Sequence, residues 1–538
     1  MTRTGLVLTI AFGCLAWVAL AAQGTSRPAA IPAFQTSDRC ISCHNGLTTS
    51  KGEDVSIGFD WRATLMANSS RDPYWQASVR RETMEHKPAT AEIEDTCARC
   101  HMPMERYTAM AQGRRAEVFA HLPFKARRDG GSLAEDGVSC SLCHQIGTAR
   151  LGTPESFTGG FVVDPPDAEG NHREYGPYAI SKGHTLVMKT STEGFVPSQS
   201  EHVRKSEMCA TCHTLITETL DESGKAIGRL PEQVPFQEWL HSDYKDAQSC
   251  QSCHMPAVSE PVAVTRVFGE PRQMARHVFV GANFFVQRML NRYRDALDVA
   301  ALPQELDAAA ERTERYLATQ AARIAIGDVS IAGGRLDTDV RVENLGGHKL
   351  PTAYPSRRAW LHFVVRDGGG RIVFESGAVS RDGSIAGNDN DAGQAAFEPH
   401  YPVIRNAGEV QIYESILGDI KGGVTTGLLT GARYLKDNRL LPRGFDKRTA
   451  EPDIAVHGAA ADDVDFAGGG DTVRYSVPLP AGAAGPFTVD VELLYQPIGF
   501  RWAQNLKGYT TAPEPRRFTE YYDAMAAGAT TRLARASR

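Results

Sequence analysis

Ten cysteines constrain this chain more than any other feature. They fall into five pairs, and each pair has the form C-x-x-C-H. Cys40 and Cys43 precede His44, Cys97 and Cys100 precede His101, and Cys140 and Cys143 precede His144. Cys209 and Cys212 precede His213, and Cys250 and Cys253 precede His254. C-x-x-C-H is the attachment motif for haem c. The two thiols add to two vinyl groups on one edge of a porphyrin, and the next residue, His, binds the iron axially. Zinc would need Cys or His partners at pair-to-pair spacings, and these pairs start dozens of residues apart. Disulfides suit an exported chain but give no reason for the repeated His. The sequence therefore predicts five covalent haem c groups, held by these ten cysteines, with the five motif histidines as proximal ligands.

The chain has 538 residues, beyond the size at which one core stops growing, so two or more domains are expected. Its net charge of −6 is mild for that length, and no Lys/Arg block appears. Nucleic acid, which needs a concentrated basic face, is excluded as a partner. The N-terminus reads MTRTGLVLTIAFGCLAWVALAAQG. Arg3, an apolar run and small residues at Ala19-Leu20-Ala21 predict a secretory signal peptide over 1–22, with Cys14 inside it. A retained anchor is the alternative for this stretch. The expected location is periplasmic or extracellular, with membrane association peripheral at most.

All five motifs lie in 23–282, read as a loop-rich, mainly helical pentahaem domain. "NFFVQRMLNRYRDAL" and "PQELDAAAERTERYLATQAARI" have helical spacing and predict bridging helices over 283–323. After Ile324 the period becomes two. Segments such as "LDTDVRVEN", "RAWLHFVV", "RIVFESGAV" and "PFTVDVELLYQ" predict an all-β, immunoglobulin-like sandwich over 324–510. Residues 511–538 read as a C-terminal tail, and 382–471 as long Gly- and Asp-rich loops. The fold class expected is α+β.

Each iron also needs a decision at its sixth position. A second His gives a low-spin electron-transfer haem, and an open position permits substrate chemistry. Of sixteen histidines, eleven lie outside the motifs. His86, His121, His202 and His277 lie near motifs in the chain and are the local candidates for distal ligation. His184 and His241 are reserves. His172, His362, His400 and His457 read as structural or exposed. Met102 and Met255 follow a motif His directly, cannot reach the opposite face of the same ring, and read as packing residues. His348, in "NLGGHKLPT", sits in a Gly-Gly turn of the β-region. It is the fifth candidate, delivered from the second domain.

The run of "DGVSCSLCHQI", "MCATCHT" and "CQSCHMP" followed by "RHVFVGANF" resembles multihaem cytochromes of the cytochrome c-554 kind. These belong to a superfamily with hydroxylamine oxidoreductases and multihaem nitrite reductases. The resemblance covers roughly residues 38–280, and "GHKLPT" looks like a motif of β-domains attached to such cytochromes. It implies stacked haem pairs, mostly bis-His, passing electrons between partners. Two departures stand out. The Lys that replaces the motif His at the catalytic haem of the nitrite reductases is absent, and five motifs match neither the four of the c-554 type nor the eight of hydroxylamine oxidoreductases.

The expectation is an exported pentahaem electron carrier, with redox proteins, quinol or other cytochromes as partners. The alternative is an oxidoreductase acting on a small nitrogen or sulfur compound at one open haem. A third reading makes the β-domain a binding module, with "GNDNDAG" (387–393) and "DDVDF" (462–466) as calcium loops, though neither has a full ligand pattern.

Overall fold

The computed structural model describes residues 32–125 and 131–538. The expected signal peptide and Cys14 lie outside the described residues. No helix among the described residues is long and apolar enough to cross a membrane. The fold is mixed, 31% helix and 23% strand, in line with the α+β expectation.

The motif-bearing half is built from short helices and loops. Helix Pro73–Glu85 starts on Asp72, whose carboxylate accepts the N–H groups of Tyr74 and Trp75 at 2.8 and 3.3 Å. It packs on helix Thr90–His101, and the Trp75 ring lies flat on the His101 ring, 4.4 Å between centroids. That contact sets the two helices antiparallel, with Trp75 level with the end that carries the second motif.

The β-half is two sheets facing each other. In the larger, the strands run Val424–Thr425, Ile412–Gly418, Arg358–Arg366, Thr488–Gln496, Thr531–Ser537, with Ile372–Ser376 and Arg433–Asp437 alongside. In the smaller, the order is Val403–Ile404, Gly470–Pro478, Arg335–Asn344, Ala322–Ile326, with Ser330–Ala332 beside Arg335–Asn344. Period-two burial explains the pairing: Leu336, Thr338, Val340 and Val342 point inward from one strand, and Val473, Tyr475 and Val477 from its neighbour. Phe363 of the larger sheet stacks on Tyr475 of the smaller at 3.8 Å.

Helices Phe284–Arg292 and Pro303–Tyr316 occupy the expected bridging region. They do not separate two cores. One apolar cluster runs from Ala63, Tyr74 and Ala77 through Phe284 and Leu290 into Leu361, Phe363 and Val491. Residues 511–538 also differ from the expected tail. Helix Pro513–Met525 packs on Pro73–Glu85 through Phe518 on Tyr74 and an Arg80–Glu514 ion pair at 2.8 Å. Strand Thr531–Ser537 then pairs with Thr488–Gln496. Its alternation is short and diluted by Arg and Ala, which is why the sequence did not announce it. The region 382–471 likewise carries strands Ile412–Gly418 and Arg433–Asp437 between its loops.

Candidate haem sites

Every motif sits on a helix or at its end: Asp38–His44, Thr90–His101, Cys140–Cys143, Ser206–His213 and Cys250–His254. Positions i, i+3 and i+4 share one face of a helix. Both thiols and the imidazole of each motif therefore project to the same side, as attachment to one macrocycle requires. None of the ten cysteines is in a disulfide.

The motifs also meet one another. The Cys40 thiol lies beside that of Cys140, Cys100 beside Cys212, and Cys209 beside Cys250, close enough for each to shift its neighbour's ionisation. Cys143 is an electrostatic neighbour of Cys209 and Cys212. The first motif thus adjoins the third, the third adjoins the fourth, and the fourth touches the second and the fifth. All five form one contiguous group.

The motif imidazoles are oriented by backbone carbonyls. Nδ1 of His44 lies 2.6 Å from the carbonyl of Val264, His101 2.9 Å from Ser69, His144 2.5 Å from Tyr175, and His254 2.5 Å from Val280. An Nδ1–H that donates to a carbonyl fixes the tautomer and leaves the Nε2 lone pair for a metal. Burial lowers the pKa of all four rings, His101 to about 4. Burial likewise takes His213 to about 4, with His254 and Arg357 as charged neighbours. Neutral imidazole is the form that binds iron.

Two further histidines face motif histidines. The rings of His254 and His348 have centroids 6.2 Å apart and planes 16° from parallel. Those of His144 and His277 are 6.4 Å apart and 22° from parallel. A metal–imidazole bond is about 2 Å and the ring centre lies roughly 1.1 Å beyond the nitrogen, so imidazoles sharing one iron from opposite faces have centres about 6.3 Å apart. Both partners also have Nδ1 tied to a carbonyl, His348 to Lys349 at 3.0 Å and His277 to Ala275 at 3.1 Å. Burial holds His277 neutral, its pKa pushed down to about 3. The separations fit the thickness of a ligated porphyrin.

The His348 turn is braced from both halves. Asn344 accepts the Gly346 N–H and donates to the His348 carbonyl, both at 2.8 Å. Gly347 lies so close to Tyr244 and Trp239 that a Cβ would meet the Tyr244 side chain at 3.2 Å. Lys349 is fully buried and paired with Asp437 at 2.7 Å. Asp437 also pairs with Arg439 at 2.7 Å, and Arg439 with Glu238 at 3.2 Å. Glu238 in turn accepts the Lys349 N–H at 3.0 Å. Burial alone would raise the Asp437 carboxyl, but the two cations hold it far below the usual carboxylate range. This buried network ties helix Pro235–Leu240, just ahead of the fifth motif, to the β-half.

The other predicted histidines stand elsewhere. His202 is buried with Nδ1 at 2.6 Å from the Ser200 hydroxyl and Nε2 at 2.7 Å from the Ile146 carbonyl. His121 lies 3.7 Å from Glu105. His184 bonds Ser181 and the Phe268 carbonyl, and His241 bonds the Gln237 carbonyl. His86 sits at the far end of Pro73–Glu85 from Trp75. Eleven residues of helix span about 16 Å, which places it well away from the His101 ring. Among the described residues, His44, His101 and His213 meet no second imidazole at the separation seen for His144 and His254.

Trp75 and the Lys349 network were not foreseen, because their roles arise from contacts between segments remote in sequence. In each of the two loops read as calcium sites, one acid is paired with a protein cation or histidine. Asp391 pairs with Arg358 at 2.7 Å, and Asp463 with His400 at 3.0 Å.

No protein-family model matches the chain, and no curated protein matches it. A solved structure does share the fold: a penta-heme cytochrome c552 from Thermochromatium tepidum. It is 15% identical, with a TM-score of 0.52 over 94% of this chain and 99% of that one.

Proposed function

We propose that the chain is an exported pentahaem c-type cytochrome that carries electrons between redox partners. The observation that carries this reading is the pair of facing imidazoles, His254 with His348 and His144 with His277, each at the separation of two ligands on one iron. The contiguous motifs support electron passage from haem to haem, and the penta-haem neighbour supports the count of five. Cys40, Cys43, Cys97, Cys100, Cys140, Cys143, Cys209, Cys212, Cys250 and Cys253 hold the groups. His44, His101, His144, His213 and His254 bind one face of each iron. At the third and fifth motifs, His144 with His277 and His254 with His348 would hold an iron from both faces, and the haem would supply one-electron redox chemistry there. The likeness to the c-554 and hydroxylamine oxidoreductase superfamily belongs to this reading, as do redox proteins as partners and the periplasm as location.

Electron paramagnetic resonance of the oxidised holoprotein tests it. The reading predicts low-spin signals of bis-imidazole haem from at least two of the haems. A spectrum with only high-spin haem would overturn it.

A second reading is favoured at the fourth motif. His213 has Arg357 as a charged neighbour and meets no second imidazole among the described residues. A cation beside an open iron suits a small anion of nitrogen or sulfur. Added nitrite would then shift the spectrum of one haem, and an unchanged spectrum would retire this reading.

A further inference from the structure

The segment "ETMEH" closes helix Pro73–Glu85 and places Glu82, Glu85 and His86 at i, i+3 and i+4, on one face. One potential ligand atom from each lies within 4.8 Å of the other two. No side-chain hydrogen bond joins the three among the described residues; the His86 N–H donates only to the Glu82 backbone carbonyl, at 2.9 Å. Most of their other polar atoms are held. The Glu82 carboxylate accepts the N–H groups of Leu428 and Leu429 at 2.8 and 3.3 Å. Glu85 Oε1 accepts from Arg81 at 3.2 Å and from the Tyr509 hydroxyl. His86 Nδ1 faces the Asp221 carbonyl at 3.4 Å.

Two atoms remain. His86 Nε2 and Glu85 Oε2 are buried and have no hydrogen-bond partner, and His86 as a whole is 4% exposed. With Nδ1–H turned to a carbonyl, Nε2 is an acceptor, and so is a carboxylate oxygen. A positive centre shared by two buried acceptors that lack donors would satisfy both. Charge gives the same answer. Arg81 is the cation that faces Glu82 and Glu85 among the described residues, and buried Glu232 adds a further acid beside Glu82.

We propose that Glu82, Glu85 and His86 bind one divalent transition-metal ion at a non-haem site. Ligand atoms about 2.0–2.2 Å from one ion lie roughly 3–4.2 Å apart, inside the observed span. Two carboxylate oxygens and one imidazole nitrogen suit zinc, manganese or ferrous iron better than calcium or cuprous copper. Three protein ligands leave positions for water. Glu82 is an electrostatic neighbour of Cys97, so the ion would stand behind the attachment edge of the second motif as a fixed positive charge.

The test uses the holoprotein with its haems attached. It is stripped with chelator, dialysed against zinc, and analysed by elemental mass spectrometry. The expected result is one zinc per chain beyond the haem irons. Glu85→Gln and His86→Gln should each weaken zinc binding at least tenfold while the haem spectrum stays unchanged. Absence of zinc uptake by the unmodified protein overturns the proposal, and so does equal uptake in Glu85→Gln. A high-spin haem in His86→Gln would also overturn it, because His86 would then be a haem ligand.

Discussion

On the proposed ligation, His348→Ala removes one axial nitrogen and little else. The turn that carries it is fixed by Asn344, by the Tyr244 and Trp239 contacts of Gly347, and by the buried Lys349–Asp437 pair, none of which uses the imidazole. The expected cost in stability is therefore small, about 1–2 kcal/mol, as for truncation of a half-buried side chain. The expected spectroscopic change is specific. The iron held by His254 loses its partner 6.2 Å away and becomes five-coordinate or takes up water. About a fifth of the haem should pass from low to high spin, since one of five sites is affected. The assay is the high-spin signal in electron paramagnetic resonance and the matching charge-transfer band of the oxidised protein. Added imidazole should enter the space left by the side chain and restore the low-spin spectrum. A variant that folds, keeps five haems and shows no high-spin fraction would refute the reasoning.

Other outcomes follow from the same structure. His277→Ala should produce the same conversion at the His144 haem, and the double variant should convert about two fifths, read by the same spectroscopy. Lys349→Met leaves Asp437 and Arg439 in a broken buried network and should cost about 3–5 kcal/mol, seen as a lower unfolding midpoint. Asp471 is held by the Tyr413 hydroxyl at 2.8 Å near Asp463 and Asp465, and burial raises its pKa to about 7. The unfolded chain releases that proton near pH 4 and the folded chain keeps it to about 7, so this group makes stability fall as pH rises between those values and adds no slope above them. Asp471→Asn should flatten that fall, by up to about 1.4 kcal/mol per pH unit. Trp75→Ala strips the face of His101 and should destabilise by about 3–5 kcal/mol in chemical denaturation.

The haem motifs were legible because covalent attachment is local chemistry. Two thiols and an imidazole must stand within five residues, and no fold can supply that spacing from afar. His348 came into view by a different route: counting irons against histidines left one partner short, a rigid turn offered a candidate, and the structure sets that ring 6.2 Å from His254. The other distal candidates rested on nearness in sequence. His202 and His86 lie close to motifs in the chain, yet the fold gives His202 two hydrogen bonds and sets His86 among carboxylates. Sequence distance is a poor guide once a helix end or a strand carries the side chain elsewhere. The strands of the β-half were visible where burial alternates strictly, as in Arg335–Asn344, and invisible at Thr531–Ser537, where an edge position relaxes the pattern. Nothing in the sequence marked Glu238, Arg439, Asp437 and Lys349 as one network, because charged residues usually signal surface.

The central claim is that five C-x-x-C-H motifs each carry a covalent haem. Intact mass spectrometry of the denatured, purified protein tests it most directly. The account predicts the mass of the processed chain plus five haems, unchanged by acid and organic solvent. A mass equal to the bare chain, or to the chain with its ten cysteines in disulfides, would contradict it.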